Sequence, residues 1–339
     1  MRTMMTQSNK LLKLSKLNKT IRKIKYTKKR TFKQPIIDKY NDTTISIGIP
    51  ASIVLNAQSP ELQTYLIGQI ARAASIFRID EIVIINDCES VREKSRMKGK
   101  QRDVINFFVK NLEYLETPQY LRKTLFPVMP ELQYTGLMNP LDAPHHLRQD
   151  EESPYREGVV IDRPVKEGKG SWVNIGLKKD CQINVRLAVG TRVTVKLIED
   201  NAKYHTGEVV SPLEPKKVLG KYWGYTVRVA DNLLDALNNC PYTKNPYDLI
   251  IGTSDKGERF ELIEFKELET YSHAIIMFGG LPGIEGLVEG DERLTLDTSE
   301  TSKLFKYYIN TCPNQGCRTI RSEEALYISL AVLLPKLGR

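Results

Sequence analysis

No stretch of the 339 residues is apolar for long enough to span a bilayer, so the sequence reads as a soluble chain without a membrane partner. Cysteine is scarce. Cys88, Cys181, Cys240, Cys312 and Cys317 are an odd number with no CxxC pair and no secretory signal ahead of them, which excludes a disulfide framework and fits a reducing compartment. Cys312 and Cys317 are separated by four residues with no histidine nearby, so no metal site is expected. Acidic residues are missing altogether from positions 1–37, which hold twelve Lys or Arg, while the rest of the chain carries 38 basic and 41 acidic side chains. The formal net charge of +9 is therefore a property of one end.

Residues 1–40 read as a basic tail: a run of like charge repels itself, stays solvated and attracts polyanions by releasing their counterions. This suits nuclear or nucleolar targeting or RNA association. Leu11, Leu14, Leu17, Ile21 and Ile24 recur near helical spacing, so a partner-induced amphipathic helix and a mitochondrial presequence remain as alternatives. The length beyond the tail is enough for two cores.

Thr43 to Leu55 is β-branched and broken by Gly48 and Pro50, which predicts a strand and a turn. Ser59-Pro60-Glu61 then supplies a cap, a first-turn proline and an acid at the positive end of a helix whose buried face is Leu62, Tyr65, Leu66, Ile70, Ala73, Ala74 and Phe77. Glu81 to Asn86 is a continuous apolar strand, completing a β-α-β unit. Residues 90–102 are charged and nearly free of apolar side chains, predicting a mobile loop that is either a second basic surface or an ordinary solvated one.

From Arg156 to Val229 the pattern changes to short alternating segments: 158–161, 171–175, 184–187, 192–198, 205–210 and 222–229. Their spacing predicts a small antiparallel β-barrel inserted over residues 151–229. Trp172, Tyr204, Tyr222, Trp223 and Tyr225 with Arg186, Arg192 and Arg228 are candidates for an RNA-binding face, although half of a strand's side chains must point inward. Parallel-type sequence resumes with strands at 248–252 and 273–278 and a final helix opened by Ser322, Glu323 and Glu324. Residues 41–150 and 230–339 thus form one α/β domain split by the barrel.

Three turn-forming segments follow apolar strands: Gly252-Thr-Ser-Asp, Gly279-Gly-Leu-Pro-Gly and Asn310-Thr-Cys-Pro-Asn-Gln-Gly. Ligands of open α/β sheets sit beyond strand carboxyl ends, and glycine is needed where a Cβ would strike the ligand or force an unfavourable φ. No Gly-Lys-Ser/Thr follows, and no Gly-x-Gly-x-x-Gly follows the first strand, which disfavours ATP and NAD.

The order of Ile47-Gly-Ile-Pro-Ala, Leu141-Asp-Ala-Pro-His-His-Leu-Arg148, Tyr155-Arg-Glu-Gly-Val159, Gly252-Thr-Ser-Asp-Lys-Gly257, Phe278-Gly-Gly-Leu-Pro-Gly-Ile-Glu-Gly286 and Cys312-Pro-Asn-Gln-Gly-Cys-Arg-Thr-Ile-Arg-Ser-Glu-Glu-Ala325 resembles the eukaryotic and archaeal SPOUT-class RNA methyltransferases with an inserted OB-like β-barrel. The resemblance spans residues 43–336. It implies a trefoil knot at the C-terminal end of the α/β domain, S-adenosylmethionine as cofactor, RNA (ribosomal by preference) as substrate and a homodimer. By position, Thr253 and Ser254 would form one wall of the cofactor site; Gly279, Gly280, Gly283, Glu285 and Gly286 the second; and Asn310, Cys312, Asn314, Gln315, Thr319, Ile320 and Ser322 the third. Candidates for proton handling and substrate positioning are His145, His146, Arg148, Arg156 and Glu285, and each histidine reads equally well as a junction residue bonded to backbone. Methylation of uridine N3 is preferred over ribose 2′-O. The rival expectation is a non-catalytic RNA-binding, spindle or ribosome-assembly scaffold that keeps the fold.

Overall fold

The computed structural model describes residues 42–87, 103–263 and 271–339. The basic tail and the segment at 90–102 lie outside them. The core is a six-stranded sheet in the order β11-β9-β10-β1-β2-β8, with every neighbouring pair parallel. The strands are β1 (Thr44–Pro50), β2 (Glu81–Ile85), β8 (Thr226–Ala230), β9 (Leu249–Arg259), β10 (His273–Met277) and β11 (Tyr307–Asn310). Both faces are covered, which explains the unbroken apolar strands. Ile82 and Ile84 enter one core with α1 (Pro60–Ile76), α2 (Val104–Glu116) and α7 (Ser322–Leu333), whereas Val83 and Ile85 enter the other with α5 (Leu233–Asn238) and α6 (Glu285–Glu289). The cap of α1 forms as expected: the Ser59 hydroxyl accepts from the Leu62 amide, and Pro60 occupies the first turn.

Between β2 and β8 the chain passes through α2, α3 (Gln119–Leu125) and a closed barrel in the order β3-β4-β5-β7-β6. Its strands are β3 (Tyr155–Val160), β4 (Trp172–Asn174), β5 (Cys181–Gln182), β6 (Arg192–Asp200) and β7 (His205–Val210). The barrel has its own core of Val160, Val173, Ile175, Cys181, Ile183, Val193 and Val195. A parallel sheet interrupted by a barrel is the architecture expected from the sequence, with three local corrections. Residues 184–187 form no strand; Asn184 instead uses its side-chain oxygen to accept from the Val209 amide. The β5–β7 pair is parallel, so the barrel is not wholly antiparallel. The segment at 222–229 is not a barrel strand: after the short helix α4 (Glu214–Leu219), residues Thr226–Ala230 pair with β2 and form the edge of the main sheet.

Candidate active site: a cleft of three tied loops

β9 does not stop at Gly252. Its pairing with β11 jumps from Gly252↔Tyr308 to Glu258↔Ile309, so residues 253–257 bulge out of the ladder before the strand resumes. The bulge, the loop after β10 and the loop between β11 and α7 surround one cleft. Side-chain hydrogen bonds tie the three walls pairwise. Thr253 Oγ1 donates to the Met277 carbonyl (2.8 Å), Ser322 Oγ to the Gly279 carbonyl (2.9 Å) and Asn310 Nδ2 to the Asp255 carbonyl (2.8 Å). Ser322, which reads as a helix cap, is thus diverted to the cleft. The cap of α7 is made by Glu324, whose carboxylate accepts from the Arg321 amide at 2.9 Å.

Thr253, Ser254, Gly279, Gly280, Gly283, Asn310, Cys312, Gln315, Thr319, Ile320 and Ser322 all line this cleft. Three of the expected cofactor residues do not. Asn314 is exposed at the loop tip. Gly286 faces away, where a Cβ would meet Pro282 Cβ at 3.0 Å. Glu285 points to the neighbouring hollow, accepting from Tyr308 Oη at 3.2 Å and pairing with Lys256 at 3.0 Å. Burial, with the Glu285 carboxylate alongside, pushes the Tyr308 phenol up to about 12. The cleft also takes in Asp255, Leu281, Thr311, Arg318, Ala325, Ile328 and Ser329, which sequence reasoning missed. A signal for the α7 members was present: that helix is apolar on more sides than one core can cover. Leu326, Leu330 and Leu333 are buried in the core, and Ala325 and Ile328 face the cleft.

The four glycines of the second loop divide by cause. A Cβ at Gly279 would lie 2.6 Å from the Ile284 amide nitrogen, Gly283 has φ of +77°, and Gly286 lies against Pro282. Each is required by the chain itself. Gly280 is different: a Cβ there meets Pro50 at 3.4 Å, Ser52 at 3.6 Å and Ile53 at 3.7 Å, ordinary contact distances, and φ is not positive. Among the described residues no atom forbids a Cβ at Gly280.

The remaining polar candidates stand at the barrel junction, outside the cleft. His145 is fully buried, its Nε2 is 2.8 Å from the Glu116 carbonyl and 2.9 Å from the Glu116 carboxylate, and its ring packs on Trp223. His146 Nε2 reaches the same carbonyl at 2.7 Å, and burial, reinforced by His145, lowers its pKa to about 4. Arg156 is 1% exposed and donates to the carbonyls of Ile175, Glu151, Leu147 and Arg148. The Arg148 side chain is exposed. Arg192 bridges the buried carboxylates of Glu116 and Glu157. Burial alone would raise Glu116, but Arg192 and His145 pull it well below the usual carboxylate range. These groups fasten the barrel to α2 and to the segment at 145–151. A cavity of about 890 Å³ opens beside them, but its charged lining is already paired, with Arg192 on Glu116 and Glu157, Lys216 on Asp80 at 2.6 Å and Lys110 on Glu113 at 2.8 Å.

The proposed aromatic RNA face is sorted by the same contacts. Tyr222 donates to the Ile79 carbonyl, Trp223 to Glu157 and Tyr225 to the Leu112 carbonyl, all buried; Arg192 and Arg228 are held in ion pairs. Arg186 is exposed, and Trp172 and Tyr204 are half-buried. The Trp172 ring carries the Arg163 guanidinium 3.9 Å above it and the Tyr204 ring edge-on at 5.3 Å. Among the described residues no group of three or more His, Cys, Asp or Glu side chains is placed to hold a metal ion, and no helix is long and apolar enough to cross a membrane.

The family described as "Putative RNA methyltransferase" matches residues 44–333. The 28S rRNA (uridine-N(3))-methyltransferase of Mus musculus is 48% identical over 301 residues, spanning 87% of this chain and 77% of its own. Its Homo sapiens counterpart is 47% identical over 307 residues, with 88% and 80% covered. The Drosophila melanogaster protein of the same name is 44% identical over 313 residues, which span 88% of this chain and 64% of that protein. With a match running from the first strand of the sheet to the end of the helix that closes the cleft, the chain belongs to this family of RNA methyltransferases.

Proposed function

We propose that the protein methylates N3 of a uridine in large-subunit ribosomal RNA, using S-adenosylmethionine held in the three-loop cleft. The observation that carries this is the cleft itself, tied at all three seams and bordered by Gly280, where the described residues leave room for a Cβ, in a chain 48% identical to a named 28S rRNA (uridine-N(3))-methyltransferase. The cleft fits such a cofactor: Leu281, Ile320, Ala325 and Ile328 offer apolar surface for a planar base, while Asp255, Gln315 and the loop backbone offer polar partners for hydroxyl, amino and carboxylate groups. S-adenosylmethionine supplies a methyl group already activated by its sulfonium. The work left to the chain is to align donor and acceptor and to receive the acceptor's proton.

The position of β11 beyond β9, with α7 fastened back to Gly279, supports the SPOUT-type knot in this reading. A homodimer is supported by Leu62, Tyr65 and Ile76, which lie on one face of α1 and are 55%, 44% and 51% exposed, although the sequence pattern placed Leu62 and Tyr65 on the buried face. Light scattering would test it. Trp172, Tyr204 and Arg186 offer stacking and charge for single-stranded RNA, with Arg163 over the Trp172 ring but paired with Asp180 at 2.8 Å, and the basic tail suits a nuclear or nucleolar address. Fluorescence imaging with and without residues 1–40 separates that address from a mitochondrial one.

Calorimetry with S-adenosylhomocysteine is the direct test. Micromolar binding by the wild type and none by Gly279→Val is expected; a wild type silent at high micromolar ligand overturns the proposal. Cells lacking the protein should lose N3-methyluridine from large-subunit rRNA, and an unchanged nucleoside profile would favour the scaffold.

A further inference from the structure

The space beside Gly280 has a chemically distinctive floor. Ser52 follows β1 and Asp87 follows β2, so both stand at the carboxyl edge of the sheet where β1 neighbours β10. One Asp87 oxygen accepts from the Ser52 amide at 2.9 Å; the other accepts a short hydrogen bond from the Ser52 hydroxyl. The hydroxyl proton is thereby committed to Asp87. The lone pairs of Oγ are left over, and that oxygen is 3.6 Å from where a Gly280 Cβ would be. A side chain at 280 would cover it. The Asp87 carboxyl is raised above its ordinary value, because burial outweighs the hydrogen bonds from Ser52 and from the backbone of Asp87 and Ala51.

A uridine N3 carries a proton and is not nucleophilic until it is lost, so N3 chemistry requires an acceptor near neutral pH. Neither the five groups singled out from the sequence nor Ser52 and Asp87 line the cleft, but Ser52 stands directly behind one of its walls, 3.6 Å from where a Gly280 Cβ would be. We propose that Ser52 and Asp87 form the proton path: the acceptor uracil enters beside Gly280, its N3–H donates to Ser52 Oγ, and Ser52 passes its own proton to Asp87. The freed N3 lone pair forms the N–CH3 bond as the methyl–sulfur bond breaks, and that electron pair stays on sulfur as the thioether. Asp87, now a neutral acid, returns its proton to water. Ser52 is the catalytic residue and Asp87 the positioning and receiving one. This rests on the uridine-N3 reading given above.

Single-turnover transfer from tritiated S-adenosylmethionine to large-subunit rRNA of cells lacking the protein tests it, from about pH 6 to about pH 10. Asp87→Asn should be slower by roughly 10²–10³-fold near neutrality, with a deficit that shrinks as hydroxide takes over proton removal. Ser52→Ala should be slowed with the same pH trend, and Asp87→Glu should recover part of the rate. S-adenosylhomocysteine affinity by calorimetry should stay within about twofold in all three, since neither Ser52 nor Asp87 lines the cleft itself. An Asp87→Asn or Ser52→Ala rate within about threefold of wild type, or a deficit constant with pH, overturns the relay. If Asp87→Asn fails to fold, Ser52→Ala and Asp87→Glu decide. A wild type that binds no S-adenosylhomocysteine or makes no N3-methyluridine brings down the functional reading instead.

Discussion

Ser322 at the start of α7 holds the carbonyl of Gly279, 43 residues earlier, through a 2.9 Å hydrogen bond. Ser322→Ala leaves that carbonyl without its side-chain donor. A loss of about 1–3 kcal/mol in urea unfolding is expected, with weaker S-adenosylhomocysteine binding by calorimetry.

Gly279 and Gly280 are neighbours with opposite sensitivities. Gly279→Ala pushes a Cβ into the backbone at Ile284 and should lower both thermal stability and cofactor affinity. Gly280→Ala meets only ordinary contacts and should leave the fold as stable or firmer by about 0.4–1 kcal/mol, while methyl transfer falls. Paired melting curves and transfer assays check both.

Arg192 is the joint between α2 and the barrel. Arg192→Met strands two buried carboxylates, Glu116 and Glu157, and should cost about 3–5 kcal/mol. Denaturant titration followed by circular dichroism would show it, and the triple replacement Arg192→Met, Glu116→Gln, Glu157→Gln should recover most of the loss.

His146 makes the junction acid-sensitive. Its folded pKa of about 4 lies below the ordinary 6.5, so the unfolded chain binds a proton that the fold refuses. Stability from this group is complete above about pH 6.5 and falls as pH drops toward about 4, by about 2 kcal/mol between pH 7 and pH 5. His146→Gln should flatten that part of the urea-midpoint profile.

Local signals carried much of the fold. The Ser59-Pro60 start of α1, the apolar strands β1, β2 and β10, and the last helix each announce themselves within a dozen residues. What misled was chemistry settled by distant partners. Tyr222, Trp223 and Tyr225 alternate like a barrel strand, yet their polar tips are claimed by Ile79, Glu157 and Leu112. His145 and Arg156 have the residue types of a catalytic pair but are consumed by Glu116 and by four carbonyls. The three loops of the cleft were legible because glycine and proline mark them. Ser52 and Asp87 were not, because they lie 35 residues apart in unremarkable sequence and meet only where β1 and β2 end side by side.

The bulge at 253–257 acts as a ruler. Pairing with β11 resumes at Glu258, so the segment is anchored on both sides and its length is fixed by the ladder rather than by whatever lies in the cleft. If the resumed strand slipped by one step, Glu258 and Arg259 would turn to opposite faces and Gly257 would leave its place against the Ile309 backbone, so a change in length has to be taken up inside the bulge, within the wall of the cleft.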